Sequence, residues 1–250
     1  MAGNQGMRNL KLVIEYDGSN YSGWQIQPDT LTIQGVIEGV LARITQGEVK
    51  LIASGRTDAG VHALNQVANF FTDSAIALAP LHRGINALLP KDIVVKEIEE
   101  EDLSFHARFS AKGKVYLYRI LNSCLAKVFE RAYSWHISAP LAIERMQRAS
   151  VPLLGRHDFR SFSVAGGDVI NYVRVLKRLE ITRKEDIVEI EIEADAFLRQ
   201  MARALVGTLT QVGLGKIGEE QVEKILMARE RGQAGSPAPP QGLFLKQVYY

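Results

Sequence analysis

The sequence predicts an α+β protein, a mixed α/β chain whose helices flank mixed, largely antiparallel sheets. Three observations carry this. Segments with strand-like apolar patterning interleave with segments of helical periodicity along the whole length. One neighbouring pair, 172–183 and 187–193, reads as a hairpin, and its second member alternates strictly from Ile187 through Glu193. The composition is that of an ordinary globular protein, with 250 residues, 46% hydrophobic and 23% charged, enough for one large domain or two modest ones.

The elements follow in order. Residues 10–16 read as a buried strand ending at the turn signal Asp17-Gly18-Ser19-Asn20. Apolar residues at helical spacing predict a helix over 33–44. A strand over 50–53 feeds a polar turn around Asp58, and Val67-Ala68-Asn69-Phe70-Phe71 leaves that turn as a strand. Residues 80–89 form a short helix stopped by Pro90. A strand over 93–98 completes the first of two expected domains, 1–107. The second, 108–250, holds a strand over 114–121, a helix over 141–154, the hairpin, and helices over 197–212 and 219–231. It ends with a Pro/Gly loop over 232–240 and a strand over 243–250. No repeat between the halves is evident.

Composition excludes several classes. Net charge is +2, so a nucleic-acid surface must come from local clustering. The lone Cys124 rules out an intrachain disulfide and a cysteine metal site, and fits a reducing cytoplasm. The histidines (62, 82, 106, 136, 157) offer no i, i+4 zinc pair, and no metal site is expected. No apolar run approaches the roughly 20 residues of a membrane span. The first eight residues lack the apolar core of a secretory signal and are expected to be a short disordered lead-in. Gly213-Leu214-Gly215-Lys216-Ile217-Gly218 matches a dinucleotide fingerprint by letters. It follows a helix instead of a strand, so a helix C-cap with a turn is the better reading.

The chemistry-bearing stretch is Ser54-Gly55-Arg56-Thr57-Asp58-Ala59-Gly60-Val61-His62-Ala63. Such an acid commonly caps a turn. Alternatively, a carboxylate kept ionised by a nearby cation can act as nucleophile or general base. Tyr116 and Tyr118 lie two apart on one strand and share a face. That face packs in a core or serves a nucleobase as a platform, and Arg108, Lys112, Lys114 and Arg119 nearby favour RNA. Arg199 and Arg203 are spaced to share a helical face among apolar neighbours, which favours partly buried, paired guanidiniums. Asp195 with Asp58 is the letter pattern of a glycosidase acid pair, whose separation a sequence does not supply.

These segments together resemble the tRNA pseudouridine synthases, in the branch acting on the anticodon stem-loop. The resemblance runs through Tyr16-Asp17-Gly18, Gly23-Trp24-Gln25, Thr32-Ile33-Gln34-Gly35 and 55–63. It continues through Phe109-Ser110-Ala111 leading to Tyr116, then 197–203 and Gly242-Leu243-Phe244-Leu245. It implies two domains around a central RNA-binding cleft, a cytoplasmic homodimer acting on tRNA, and no cofactor. The implied targets are uridines at nucleotides 38, 39 and 40. The implied reaction breaks the N1–C1′ bond, turns the base and rejoins it through C5. Asp58 is implied as the catalytic carboxylate, acting at the sugar carbon or the base. Tyr116 is implied to stack on the extracted base and Arg203 to hold Asp58 ionised. Arg56 is implied to contact the RNA or hold the nucleotide out. His62 reads as a structural neighbour. Phosphate contacts are expected from Arg108, Lys112, Lys114, Arg156, Arg160, Arg174, Lys177 and Arg178. Two other readings predict different outputs: a tRNA-binding protein or RNA chaperone needs no Asp58, and a nucleoside hydrolase releases free uracil.

Overall fold

The computed structural model describes residues 6–164 and 171–250. The first five residues of the expected lead-in lie outside that range. The chain forms two compact units, Met1–Ala111 with Leu245–Tyr250, and Lys112–Phe244.

The first unit contains β1 (Arg8–Tyr16), α1 (Ile33–Thr45), β2 (Ile52–Ala53), β3 (His62–Thr72), α2 (Leu78–Leu88) and β4 (Ile93–Glu101). Its strands run in the order β4–β1–β3, all antiparallel, with β2 paired to β3. Leu10, Leu12 and Ile14 alternate inward from β1 and are fully buried. Ile33, Ile37 and Leu41 of α1 and Leu81 and Ile85 of α2 add to the same unit's core at helical spacing. Thr32 caps α1: its Oγ1 accepts the Gly35 N–H at 3.3 Å. Gln46 in the left-handed region closes it. The helix expected from Pro80 starts at Leu78, because a proline in the first turn costs no intrahelical hydrogen bond. The strand expected over 50–53 shortens to Ile52–Ala53. At the end of β1 the register slips against both neighbours, between Val13 and Ile14 on the β4 side and between Ile14 and Tyr16 on the β3 side. Such bulges re-aim the side chains that follow.

The second unit contains β5 (Gly113–Asn122), β6 (Trp135–Ile137), α3 (Ile143–Ser150), β7 (Gly155–Asp158), β8 (Val173–Lys184), β9 (Ile187–Ala194), α4 (Met201–Gly213) and α5 (Glu220–Ala228). The last strand, β10 (Leu243–Tyr249), completes the chain. The order β5–β9–β8–β7 is antiparallel, and β6 runs parallel to the end of β5, which makes the pairing mixed. The hairpin of β8 and β9 is present, and β9 buries Val188, Ile190, Ile192 and Ala194 while its glutamates alternate outward.

Three helical expectations change. The helix over 141–154 becomes α3 followed by a 3-10 turn over Val151–Leu153, since Pro152 has no N–H to continue the ladder. The helix over 219–231 ends at Ala228, where Arg229 turns left-handed at φ 56°. The helix over 197–212 begins only at Met201, because Gln200 adopts φ 59°. Arg199 therefore precedes α4 and Arg203 lies in its first turn, so the two do not share a helical face.

Candidate active site

Asp58 sits on the loop between β2 and β3, half-buried, with Thr57 buried before it and Val61 and His62 buried after it. Backbone hydrogen bonds brace the turn on either side of it. The Thr57 carbonyl accepts the Trp24 N–H at 3.1 Å, and the Asp58 carbonyl accepts the Val61 N–H at 3.1 Å across a turn in which Gly60 takes φ 75°. The Thr57 hydroxyl shares a 2.7 Å hydrogen bond with the Tyr16 hydroxyl. Burial pushes the Tyr16 phenol above its ordinary value, with Thr57 and Gln66 pulling the other way, so Tyr16 stays neutral. At the loop's entry the buried Ser54 hydroxyl donates to Gln66 Oε1 at 2.7 Å, and Gln66 Nε2 donates to the Gly55 carbonyl at 2.9 Å.

The glycine motifs supply clearance for this loop. Gly23, at φ 91°, passes so close that a Cβ there would lie 2.7 Å from the Thr57 carbonyl oxygen and 3.1 Å from the Ala59 nitrogen. A Cβ on Gly18 would collide with the Val61 carbonyl oxygen. Trp24, 1% exposed, anchors the segment. Its carbonyl then accepts the Gln34 N–H at 3.0 Å, tying the loop to the first turn of α1. His62 Nδ1 lies 3.0 Å from the Gly18 nitrogen and 3.1 Å from Asp17 Oδ1. A neutral ring with a bare Nδ1 accepts the Gly18 N–H, whereas a protonated ring donates to Asp17. Either way His62 ties the turn after β1 to the start of β3. Of the residues that carry this bracing, Ser54 and Gly23 lie in motifs the sequence displays, whereas Gln66 carries no mark there. The signal available was the pair of glycines before α1, whose role needs the loop they touch.

Arg56 is exposed on the same loop. The remaining two candidates belong to the second unit. Tyr116, on β5 opposite Ile192, is buried and meets Phe197 edge-on at 4.7 Å and 82°. Tyr118 shares its face but is a satisfied core residue: it is fully buried and donates its hydroxyl to the Pro239 carbonyl at 2.8 Å. Arg203 donates from Nε to the Ala238 carbonyl at 2.7 Å, and its own carbonyl accepts the Ala238 N–H. This clasps α4 to the Pro/Gly loop, and Arg203 as a residue is half-buried.

The expected phosphate contacts divide. Arg178 is engaged by Glu180 and Glu191, each at 3.1 Å, and by Glu193 at 3.6 Å, acids that compete with a phosphate for it. Arg174 is held by the backbone carbonyls of Asn171 and Val173, and burial lowers its pKa from the ordinary value. Lys177 donates to the Lys112 carbonyl. Arg160 lies 4.7 Å over the Tyr172 ring. Arg108, Lys112 and Arg156 are exposed, while Lys114 is half-buried. Asp195 is structural: its Oδ1 accepts the Val175 N–H at 3.0 Å and the Ala196 N–H at 2.7 Å beside the β8–β9 bulge. Among the described residues no group of three or more metal-ligating side chains comes together, and no helix is long and apolar enough to cross a membrane.

Fold and loop define an α+β protein that carries one carboxylate on a rigidly braced turn. Residues 12–110 and 149–250 match the family model described as tRNA pseudouridine synthase, and the chain belongs to that family. It is 48% identical over 244 residues to a tRNA pseudouridine synthase A of Thermoanaerobacter sp., covering 98% of this chain and 100% of the relative. With proteins of the same name from Acetivibrio thermocellus and Geobacter sulfurreducens it shares 46% and 43% identity, again over 98% of this chain and 100% of each relative. A chain of a Cbf5–Nop10–Gar1 complex aligns at 15% identity and TM-score 0.35, over 80% of this chain and 54% of that one. That likeness is too low to bear on the fold.

Proposed function

We propose that this protein isomerises uridine to pseudouridine at nucleotides 38, 39 and 40 of the tRNA anticodon stem-loop, with Asp58 as the catalytic carboxylate. Pseudouridine formation in tRNA follows from the family. The loop carries the assignment of the acid, since the Thr57 and Asp58 carbonyls and the Thr57 hydroxyl are hydrogen-bonded while Asp58 itself is only half-buried. Uridine must leave its stack for C1′ and the base to be reached, and a loop or stem end yields a base at lower cost than duplex interior. The N1–C1′ bond breaks and a C5–C1′ bond forms. The C5 proton goes to solvent and N1 gains one, so the product is an isomer and no redox partner is needed. Tyr116, Arg56 and Arg203 are proposed to bind the nucleotide, Tyr116 by stacking.

The test is tritium release from a tRNA transcript carrying C5-tritiated uridine, wild type beside Asp58→Asn. Release by wild type alone, without free uracil, is expected. Release by both proteins removes Asp58 from the chemistry, and free uracil makes the protein a hydrolase. Transcripts with uridine at only one of the three positions test the target range.

A cytoplasmic homodimer is part of the same proposal. Leu125, Val128 and Phe129 are 78%, 68% and 90% exposed on a segment held by the Arg131 to Val128 hydrogen bond at 2.6 Å and the Lys127–Asp186 ion pair at 2.8 Å. Ordered, bare apolar side chains of this size suit a protein interface. Sedimentation equilibrium is expected to give a dimer, and Phe129→Asp a monomer. A monomeric wild type overturns this part alone.

A further inference from the structure

Phe109, in the segment Phe109-Ser110-Ala111, is 76% exposed, and its ring is flanked by two neighbours. The His106 imidazole lies 4.3 Å from it, centroid to centroid, with the planes tilted by 33°. The Arg108 guanidinium carbon lies 5.5 Å from the ring centroid. His106 is itself fixed. Its Nδ1 accepts the N–H groups of Arg108 and Phe109 at 3.2 and 3.3 Å, so a neutral ring carries its proton on Nε2. Its backbone N–H donates to Ser110 Oγ at 3.1 Å, and its carbonyl accepts the Ser110 N–H at 2.9 Å. Among the described residues no acid pairs with Arg108.

We propose that His106, Arg108 and Phe109 form a stacking platform for an unpaired nucleobase of the tRNA, with Arg108 on the adjoining phosphate. This rests on the function proposed above. Three features favour RNA over an apolar peptide. The bare ring is bordered by a cation and an imidazole instead of by further apolar side chains. A planar aromatic face accepts any base, because every base has a π-face. The guanidinium suits a phosphate bidentately. The local hydrogen bonds order the ring before RNA arrives, which lowers the entropy lost on binding. The platform is a docking contact, so it acts on affinity and leaves the chemical step alone.

The experiment measures tRNA Kd, KM and kcat for full-length Phe109→Ala, Phe109→Leu and Phe109→Trp, with circular dichroism as a control for folding. The Ala and Leu variants are expected to raise Kd and KM about 5- to 100-fold, the range of one lost base stack, with kcat unchanged. The Trp variant is expected to keep wild-type affinity, and its added emission to be quenched by tRNA relative to the parent protein. Wild-type Kd and KM in Phe109→Ala overturn the proposal. Wild-type affinity in Phe109→Leu overturns the stacking, and a fall in kcat alone assigns Phe109 to the chemistry instead. Absence of tRNA binding by the wild type also overturns it. If the wild type binds tRNA but releases no tritium from any transcript, the isomerase reading fails while the effect of Phe109 on affinity is still read independently.

Discussion

At the scale of single residues, Asp58 owes its setting to groups that never meet the substrate. Gly23 is the sharpest case, because a methyl there must displace the backbone on either side of Asp58. Gly23→Ala is expected to lower turnover about 100-fold, the usual cost of moving a catalytic group by an ångström. It should also destabilise the protein by about 1–3 kcal/mol. Near-normal tritium release from that variant would show that the loop does not need this clearance. Tyr116 asks for two substitutions. Tyr116→Ala removes both a base stack and an edge-on partner of Phe197, so its activity loss mixes binding with packing. Tyr116→Phe keeps the ring and its packing. If stacking is the role, steady-state kinetics should show near-normal KM in Phe and a KM raised about 5-fold or more in Ala. A fall in kcat in Tyr116→Phe with KM unchanged would assign the hydroxyl to proton transfer instead.

At the scale of elements, two junctions are exposed to measurement. The Thr32 cap starts α1 next to the segment that carries Gly23 and Trp24. Thr32→Ala is expected to cost about 1 kcal/mol in thermal or urea unfolding, and an unchanged midpoint would deny the cap that role. Between α3 and the start of α5, Glu219 accepts from Arg148 at 2.8 Å and from Arg145 at 3.2 Å. The hydrogen bond from Arg148 chiefly holds the Glu219 carboxyl below its ordinary 4.5. A carboxylate with a depressed folded-state value stabilises above its unfolded value and loses that contribution as pH falls through the folded one. Glu219→Gln should therefore lower Tm slightly near neutral pH, the pair being solvent-exposed, and leave it unchanged at a pH below both values. An equal Tm difference at both pH values would rule out the ion pair as the source. Much of this level was legible in the sequence. Apolar periodicity after Thr32 predicted α1 to within a residue, and strict alternation predicted β9. The start of α4 was not legible. Phe197 and Leu198 extend the apolar pattern but pack outside the helix, Leu198 buried and Phe197 half-buried against Tyr116, and the left-handed turn at Gln200 has no composition signal. The short strands β6 and β7 were missed for a similar reason, since at three and four residues they show no periodicity and exist only through their partners.

At the scale of the whole molecule, a net charge of +2 with exposed Arg108, Lys112 and Arg156 predicts tRNA binding that weakens steeply with salt. A plot of log Kd against log salt should be linear with a positive slope, near 0.7–0.9 per phosphate neutralised. Each charge-neutralising substitution at a true contact should lower that slope by about one contact's share, whereas Arg178→Gln should leave it unchanged because Arg178 is engaged by glutamates. A slope that falls equally for Arg178→Gln would return it to the phosphate contacts. The sequence by itself determined the α+β class, the order of most elements, the acid-bearing turn and the family resemblance. These depend on local periodicity, turn chemistry and the ordered spacing of short motifs, which are properties of neighbours along the chain. The tertiary structure alone decided that Gly18, Gly23, Trp24, His62 and Gln66 converge on one loop. It also decided that Tyr118 and Asp195 make structural hydrogen bonds, that Arg178 is paired with glutamates, and that Phe109 stands exposed beside His106 and Arg108. Each of these depends on contacts between distant segments, and a buried carbonyl or a bare ring face carries no mark in the linear sequence.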